Sequence, residues 1–242
     1  MERLQKLIAH AGIASRRIAE EMIRQGRVTV DASPAHLGQK VDPDRARVLI
    51  DGVPLPIRPG LVHYLVNKPA GIVSTVDDPR GRPTVIDLVP RTTRVYPVGR
   101  LDADSEGLLV ITNDGELTAA VTHPSHGVTK TYVARVHGDV GRGVIRRLTD
   151  GVDLDDGPAR ALSARVLDRH AGETLVEIVM GEGRKREVRR MLTVVGHEVL
   201  GLARTAIGPI RDPGLRSGEW RLLTAEEVRS LYRAAGFGPA SP

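Results

Sequence analysis

The segment Gly99-Arg-Leu-Asp-Ala-Asp-Ser-Glu-Gly-Leu-Leu-Val110 sets three carboxylates, Asp102, Asp104 and Glu106, between two apolar runs. Loops carried on rigid strands are where catalytic groups concentrate, although carboxylates in such loops also form turns or face solvent. Spacing alone does not choose among the three. A second segment, Gly183-Arg-Lys-Arg-Glu-Val-Arg-Arg-Met191, carries five basic residues in the seven positions 184–190. Val188, Met191, Leu192 and Val195 give it an apolar stripe, so a helix here would anchor by one face and turn its positive face to polyanions or to solvent. A third basic group, Arg16, Arg17, Arg24 and Arg27, lies near the N-terminus on faces that the apolar residues leave free. His123-Pro-Ser-His126 offers two imidazoles with no third ligand nearby, and reads as ordinary loop histidines. Gly181-Glu-Gly-Arg-Lys-Arg lacks the final glycine of a dinucleotide fingerprint.

The rest of the composition narrows the chemistry. The 242 residues hold no cysteine, which excludes disulfides, thiolate metal sites and cysteine nucleophiles. Lys and Arg number 35 against 30 Asp and Glu, a net charge of +5 with Arg greatly outnumbering Lys, and arginine binds phosphate bidentately. Only six aromatic side chains are present, Tyr64, Tyr96, Tyr132, Tyr232, Phe237 and Trp220, too few for a sheet that stacks several bases. The opening Met-Glu-Arg-Leu-Gln-Lys has no apolar stretch behind its charges and no run is long enough to span a bilayer. An unexported, cytoplasmic monomer is the expectation.

The elements that must position these residues fall into two groups. Leu4, Leu7, Ile8 and Ala11 repeat at helical spacing up to Gly12, and Ser15 opens a second helix with Ile18, Met22 and Ile23 expected inward. Val28–Val30 and Val48–Ile50 read as strands, the latter closed by the Asp51-Gly52 turn signal. Pro54-Leu-Pro-Ile-Arg-Pro-Gly60 has the composition of a stiff linker, which sets the expected domains at 1–53, a linker at 54–60, and 61–242. Beyond it, apolar runs at 62–66, 95–101, 108–112, 131–136, 161–167 and 174–180 alternate with turn signals and read as strands. Helices are expected over 116–121, 140–148 and 186–195. A last helix opens at Thr224, where Glu227 completes a capping box. The expected fold class is α+β: a small N-terminal module, then a larger domain built on mainly antiparallel sheet.

Four motifs in order, Gly99-Arg-Leu-Asp102 with Gly107-Leu-Leu, Thr112-Asn-Asp-Gly115, Lys130-Thr-Tyr132-Val, and Gly183-Arg-x-x-x-Val-Arg-Arg-Met191, resemble those of the ribosomal pseudouridine synthases of the RsuA/RluB type. Leu4-Gln-Lys-x-x-Ala9-x-Ala-Gly12-x-x-Ser15-Arg-Arg and Gly26-Arg-Val-Thr-Val30 resemble the S4-type RNA-binding module that precedes the catalytic domain in that family. Together the resemblance covers nearly the whole chain.

The resemblance implies an isomerase that converts uridine to pseudouridine in ribosomal RNA, working on a base flipped out of its stack. It implies Asp102, and not Asp104, as the catalytic carboxylate, Tyr132 as the ring beside the uracil, and Arg189 as a basic partner that favours the charged form of Asp102. Arg100 matches a position that helps hold the RNA open. Arg184, Lys185, Arg186 and Arg190, with the N-terminal arginines, become the expected RNA contacts. The chemistry requires neither metal nor organic cofactor. Asp78-Pro-x-Gly-Arg-Pro-Thr84 and the 183–190 run look closer to the large-subunit (23S) branch. A small-subunit (16S) enzyme, a non-catalytic ribosome-assembly protein and a DNA-binding regulator are the alternatives.

Overall fold

The computed structural model describes residues 1–56 and 58–238; Ile57, inside the expected linker, and 239–242, the end of the tail, lie outside it. At the N-terminus two helices, Leu4–His10 and Arg16–Arg24, pack with the strands Val28–Val30 and Val48–Ile50 around Leu4, Leu7, Ile8, Ala19, Ile23, Val28, Val48 and Ile50. Ser15 caps the second helix by accepting from the Ile18 backbone N–H. Ile18, expected inward, is 54% exposed. Five helical positions carry it roughly 140° away from Ile23, so Ala19 and Ile23 make the inner face instead.

The larger domain is built on a mixed, mostly antiparallel sheet. Its central order is Ser163–His170, Glu173–Met180, Lys130–His137, Val199–Ile207, Glu106–Thr112, His63–Lys68 and Trp220–Leu222. Every neighbouring pair in that order runs antiparallel except Val199–Ile207 with Glu106–Thr112, which meet in parallel over Ala203–Glu106 and Arg204–Gly107. That seam is where the two halves of the sheet join. A Cβ on Gly107 would stand 2.2 Å from the Arg204 carbonyl oxygen, and φ there is +110°, so only glycine permits the approach.

Strands His63–Lys68 and Glu106–Thr112 are covered on both faces, which is why their central stretches, 64–66 and 108–111, read as continuous apolar runs. Leu65, Leu108 and Val110 pack against Leu117, Leu231 and Tyr232 of the helices Gly115–Thr122 and Ala225–Ala234. Tyr64, Val66, Leu109 and Ile111 face Val85, Val89 and Val95 instead. The other half of the sheet carries its own core, in which Ala134, Val136, Val176 and Ile178 meet Leu148, Met191 and Leu192 of the helices Arg142–Asp150 and Glu187–Val194.

Two expected elements come out differently. The run 95–101 pairs only over Tyr96–Pro97. The described part of the expected linker is built into both neighbours: Val53–Pro54 pairs with Leu49–Ile50, and Leu55 joins the N-terminal core. Arg229, on the last helix and only 5% exposed, donates to the carbonyls of Ile50 and Val53 at 3.2 and 3.0 Å. Arg47 of the N-terminal module and Glu116 form a further ion pair across this boundary.

Candidate active site

A cleft of about 670 Å³ opens beside the parallel seam, lined by Asp102, Tyr132, Lys130, Arg204, Arg100 and the 180–188 segment among others. Its chemistry depends on how the Gly99–Ser105 loop is held. Ser74 Oγ donates to the Leu101 carbonyl at 2.9 Å and accepts from the Leu101 N–H at 3.1 Å. The Ala103 carbonyl receives the Gly71 N–H at 2.7 Å and the Lys68 ammonium at 3.4 Å. Beyond the turn, Arg189 donates to the Asp104 carbonyl at 2.8 Å and to Ser105 Oγ at 3.3 Å. The backbone is therefore fixed on both sides of Asp102, while the Asp102 carboxylate forms no ion pair among the described residues and stands half-buried in the cleft. A carboxylate whose main chain is locked and whose oxygens are uncommitted is prepared to act on a ligand.

Asp104 is placed differently. Arg186 grips both its oxygens at 3.0 Å and Arg189 lies 3.5 Å away. Burial opposes its charge, but the Arg186 hydrogen bonds and the field of Arg189 outweigh it and hold the carboxyl below the usual range. Arg189, expected as the partner of Asp102, is thus a partner of Asp104 and of the turn that follows Asp102. The reason is positional: it rises from the first turn of Glu187–Val194 under the loop's outgoing limb, and its remaining contact is to the Val199 carbonyl.

The basic run at 183–190 is mostly tied into the protein. Arg184 spans Glu187, Asp156 and the Pro158 carbonyl, and Arg190 takes both oxygens of Asp156. These arginines clamp the Val152–Leu154 and Gly157–Ala159 hairpin to the helix, and phosphate would have to displace a carboxylate to reach them. Of the expected RNA contacts in the larger domain, Lys185 and Arg100 are exposed at the cleft without an ion pair among the described residues. In the N-terminal module Arg24 pairs with Glu21 and Arg27 with Asp51, which leaves Arg16 and Arg17 exposed and unpaired among the described residues.

Three cations to which the sequence analysis gave no role lie at or near the site. Lys68 is completely buried; burial brings its pKa down to about 8, against the opposing fields of Asp104, Glu106 and Asp102. Lys130, two residues before Tyr132 in the chain, is brought to about 8 by burial and by Arg204. Arg204 is 4% exposed and lies across from Tyr132 in the strand register. The Thr112–Gly115 motif is structural: Thr112 Oγ donates to the Val62 carbonyl, and Asp114 caps the next helix while accepting from Tyr232 and contacting His63.

Comparison with known proteins decides the family. Residues 62–193 match the family described as RNA pseudouridylate synthase, and residues 2–45 match the S4 domain. The chain belongs to the RNA pseudouridine synthase family. It is 49% identical to an uncharacterized RNA pseudouridine synthase of Mycobacterium leprae over 97% of this chain and 94% of that one. It is 40% identical to the ribosomal large subunit pseudouridine synthase B of Bacillus subtilis, with 98% of both chains covered. A crystal structure of a pseudouridylate synthase superposes with a TM-score of 0.64 at 28% identity, covering 96% of this chain and all of the other. As a pseudouridine synthase the protein is an isomerase, and its S4 module is an RNA-binding one. Among the described residues no helix is long and apolar enough to cross a membrane.

Proposed function

We propose that this synthase isomerises a uridine of large-subunit ribosomal RNA, with Asp102 as the catalytic carboxylate. The observation that carries the assignment is the loop geometry: of the three acids in the 99–110 segment, Asp104 is spent on Arg186 and Arg189, whereas Asp102 lines the cleft with its oxygens free. Isomerisation breaks the C1′–N1 bond, turns the uracil and rejoins it through C5, so a charged carboxylate must meet the sugar or the ring directly. A base inside a stack is out of reach and is flipped into the cleft. Tyr132 then presents a ring to the uracil on the floor. Arg100 at the rim stands where a side chain could fill the gap left in the RNA. The large-subunit target is supported by the likeness, over the full length of both chains, to the Bacillus subtilis large-subunit enzyme.

The test is pseudouridine mapping by carbodiimide primer extension in ribosomal RNA from a deletion strain, complemented with the wild-type gene or with Asp102→Asn. One large-subunit stop should disappear on deletion, return with the wild type and stay absent with Asp102→Asn. The exposed Asp139→Asn should restore it. Loss of a small-subunit stop instead would redirect the enzyme to the other subunit, and restoration by Asp102→Asn would remove Asp102 from the chemistry.

A further inference from the structure

Arg204 is an unusual residue to find where it is. It occupies an inward position of the strand beside the seam, between Leu202 and Ala206, both buried. Its Nε donates to the Leu108 carbonyl at 2.8 Å, which fixes the guanidinium plane. Its Nη2 is buried and has no hydrogen-bond partner among the described residues. A buried donor on a charged group that lacks a partner is costly to keep, so one expects it to have a use. The residue lines the cleft, and its nearest strand neighbour is Tyr132. Lys130, on the same neighbouring strand, donates to the Val121 carbonyl at 3.3 Å. No carboxylate pairs with Arg204 or Lys130 among the described residues. The cleft that Asp102 lines therefore also carries a buried arginine and a half-buried lysine that have no carboxylate counter-ion among the described residues.

We infer that Arg204, with Lys130 beside it, is a catalytic residue that binds the uracil ring as its glycosidic bond breaks and holds the negative charge the base acquires. The inference rests on the proposed pseudouridine chemistry at Asp102. When C1′–N1 breaks, its electron pair leaves with the base, and the charge spreads over N1, O2 and O4. The deficit at C1′ is met by the Asp102 carboxylate or by loss of a C2′ proton to it. On rejoining, C5 supplies the pair for the new bond to C1′ while the Asp102–C1′ bond breaks and its pair returns to the carboxylate, or while Asp102 gives its proton back to C2′; the C5 proton then departs and N1 takes one up, so the product is an isomer and nothing is oxidised or reduced. A detached uracil anion in a closed cleft needs donors that are already in place. Arg204 Nη2 is such a donor, and a preorganised donor aimed at charge that appears only during reaction lowers the barrier more than it tightens binding.

The test uses full-length enzyme and a synthetic RNA carrying the mapped target position either as uridine or as 5-fluorouridine, whose more acidic base needs less help to leave. Arg204→Gln keeps an amide donor for the Leu108 carbonyl but removes the cation. Its single-turnover rate on uridine should fall by roughly 100-fold with RNA affinity within about twofold, the size of effect expected for one lost anion-stabilising donor. Arg204→Lys, which keeps the charge but not the fork, should recover about tenfold of that loss. With 5-fluorouridine, whose C5 carries fluorine where the departing proton would be, the readout is loss of the N1-linked fluorouridine from the nucleoside digest by mass spectrometry and not a finished pseudouridine, and it should show a distinctly smaller defect for both variants. Wild-type turnover by Arg204→Gln would overturn the inference. So would an equal defect with the two bases in variants of wild-type melting temperature, since a purely structural arginine has no reason to respond to the leaving group. If Arg204→Gln fails to fold, the leaving-group response of Arg204→Lys decides in the same way. A wild type that forms no pseudouridine would bring down the proposed function itself, an outcome separate from an active wild type with an active Arg204→Gln.

Discussion

Arg189 places Nη2 2.8 Å from the backbone carbonyl of Asp104 and 3.5 Å from its carboxylate, two residues along the chain from Asp102. The arginine thereby acts on the loop's shape, and it reaches Asp102, the carboxylate proposed to react, through the main chain. Removing it leaves the Asp104 carbonyl and Ser105 Oγ without their charged donor, so Arg189→Ala should cost about 1.5–3 kcal/mol of stability. A loop misplaced by about an ångström should also slow single turnover by roughly 100-fold, with RNA affinity nearly unchanged. Arg189→Lys should recover part of the rate, because an ammonium can still reach the Asp104 carbonyl although the fork is lost. Stopped single-turnover assays with thermal melts check both arms; normal turnover by Arg189→Ala would detach the loop clamp from catalysis.

Lys130 gives the enzyme an expected alkaline limit. Its pKa of about 8 means that the ammonium loses its proton as pH rises through that value, and the single-turnover rate should fall with it. Stability should move the other way. Both Lys68 and Lys130 have native pKa values of about 8, below the ordinary 10.5, so between those values the unfolded chain binds more protons. The burial penalty is then fully present below about pH 8 and is relieved as pH climbs towards 10.5. Opposite trends in rate and melting temperature separate a catalytic titration from unfolding. Lys130→Arg, permanently charged, should push the alkaline limb upward; a limb that stays near pH 8 in that variant belongs to another group.

Why some of this was legible and some was not follows from particular residues. The runs at 62–66 and 108–112 are apolar apart from His63 and Thr112 because both faces are covered, so they were readable as strands from composition alone. The strand Val199–Ile207 was missed although it joins the two halves of the sheet, because its inward face carries Arg204 and a register irregularity near its start goes with a Leu200 that is 38% exposed. A charge on the core face hides a strand from any pattern of apolar residues. Lys68 was hidden similarly: at the end of a strand it looks like a solvated terminus, yet it is fully buried and its ammonium donates to the Pro69 and Ala103 carbonyls, the latter 35 positions away. The basic run at 183–190 was visible as charge. Its ion pairs to Asp104 and Asp156 join residues about 30 to 80 positions apart, which no local spacing encodes.

Arg16 and Arg17 carry the remaining expectation for the N-terminal module. Both are exposed in the first turn of Arg16–Arg24 and neither is ion-paired among the described residues, whereas Arg24 and Arg27 are engaged by Glu21 and Asp51. Deleting the module would be a blunt test, since it would also strip the Ile50 and Val53 carbonyls from Arg229. Charge reversal is cleaner. If Arg16 and Arg17 hold RNA backbone while the larger domain does the chemistry, Arg16→Glu with Arg17→Glu should raise KM and leave the saturating single-turnover rate close to wild type, because uniform binding is what is lost. The slope of log affinity against log salt should fall by roughly 0.7–0.9 for each phosphate contact removed. Reversal of Arg24 should do less, since its charge is already partly neutralised by Glu21. Unchanged KM and salt slope in the double variant would mark the first turn of that helix as solvated surface, and would move the RNA-holding role to another face of the module.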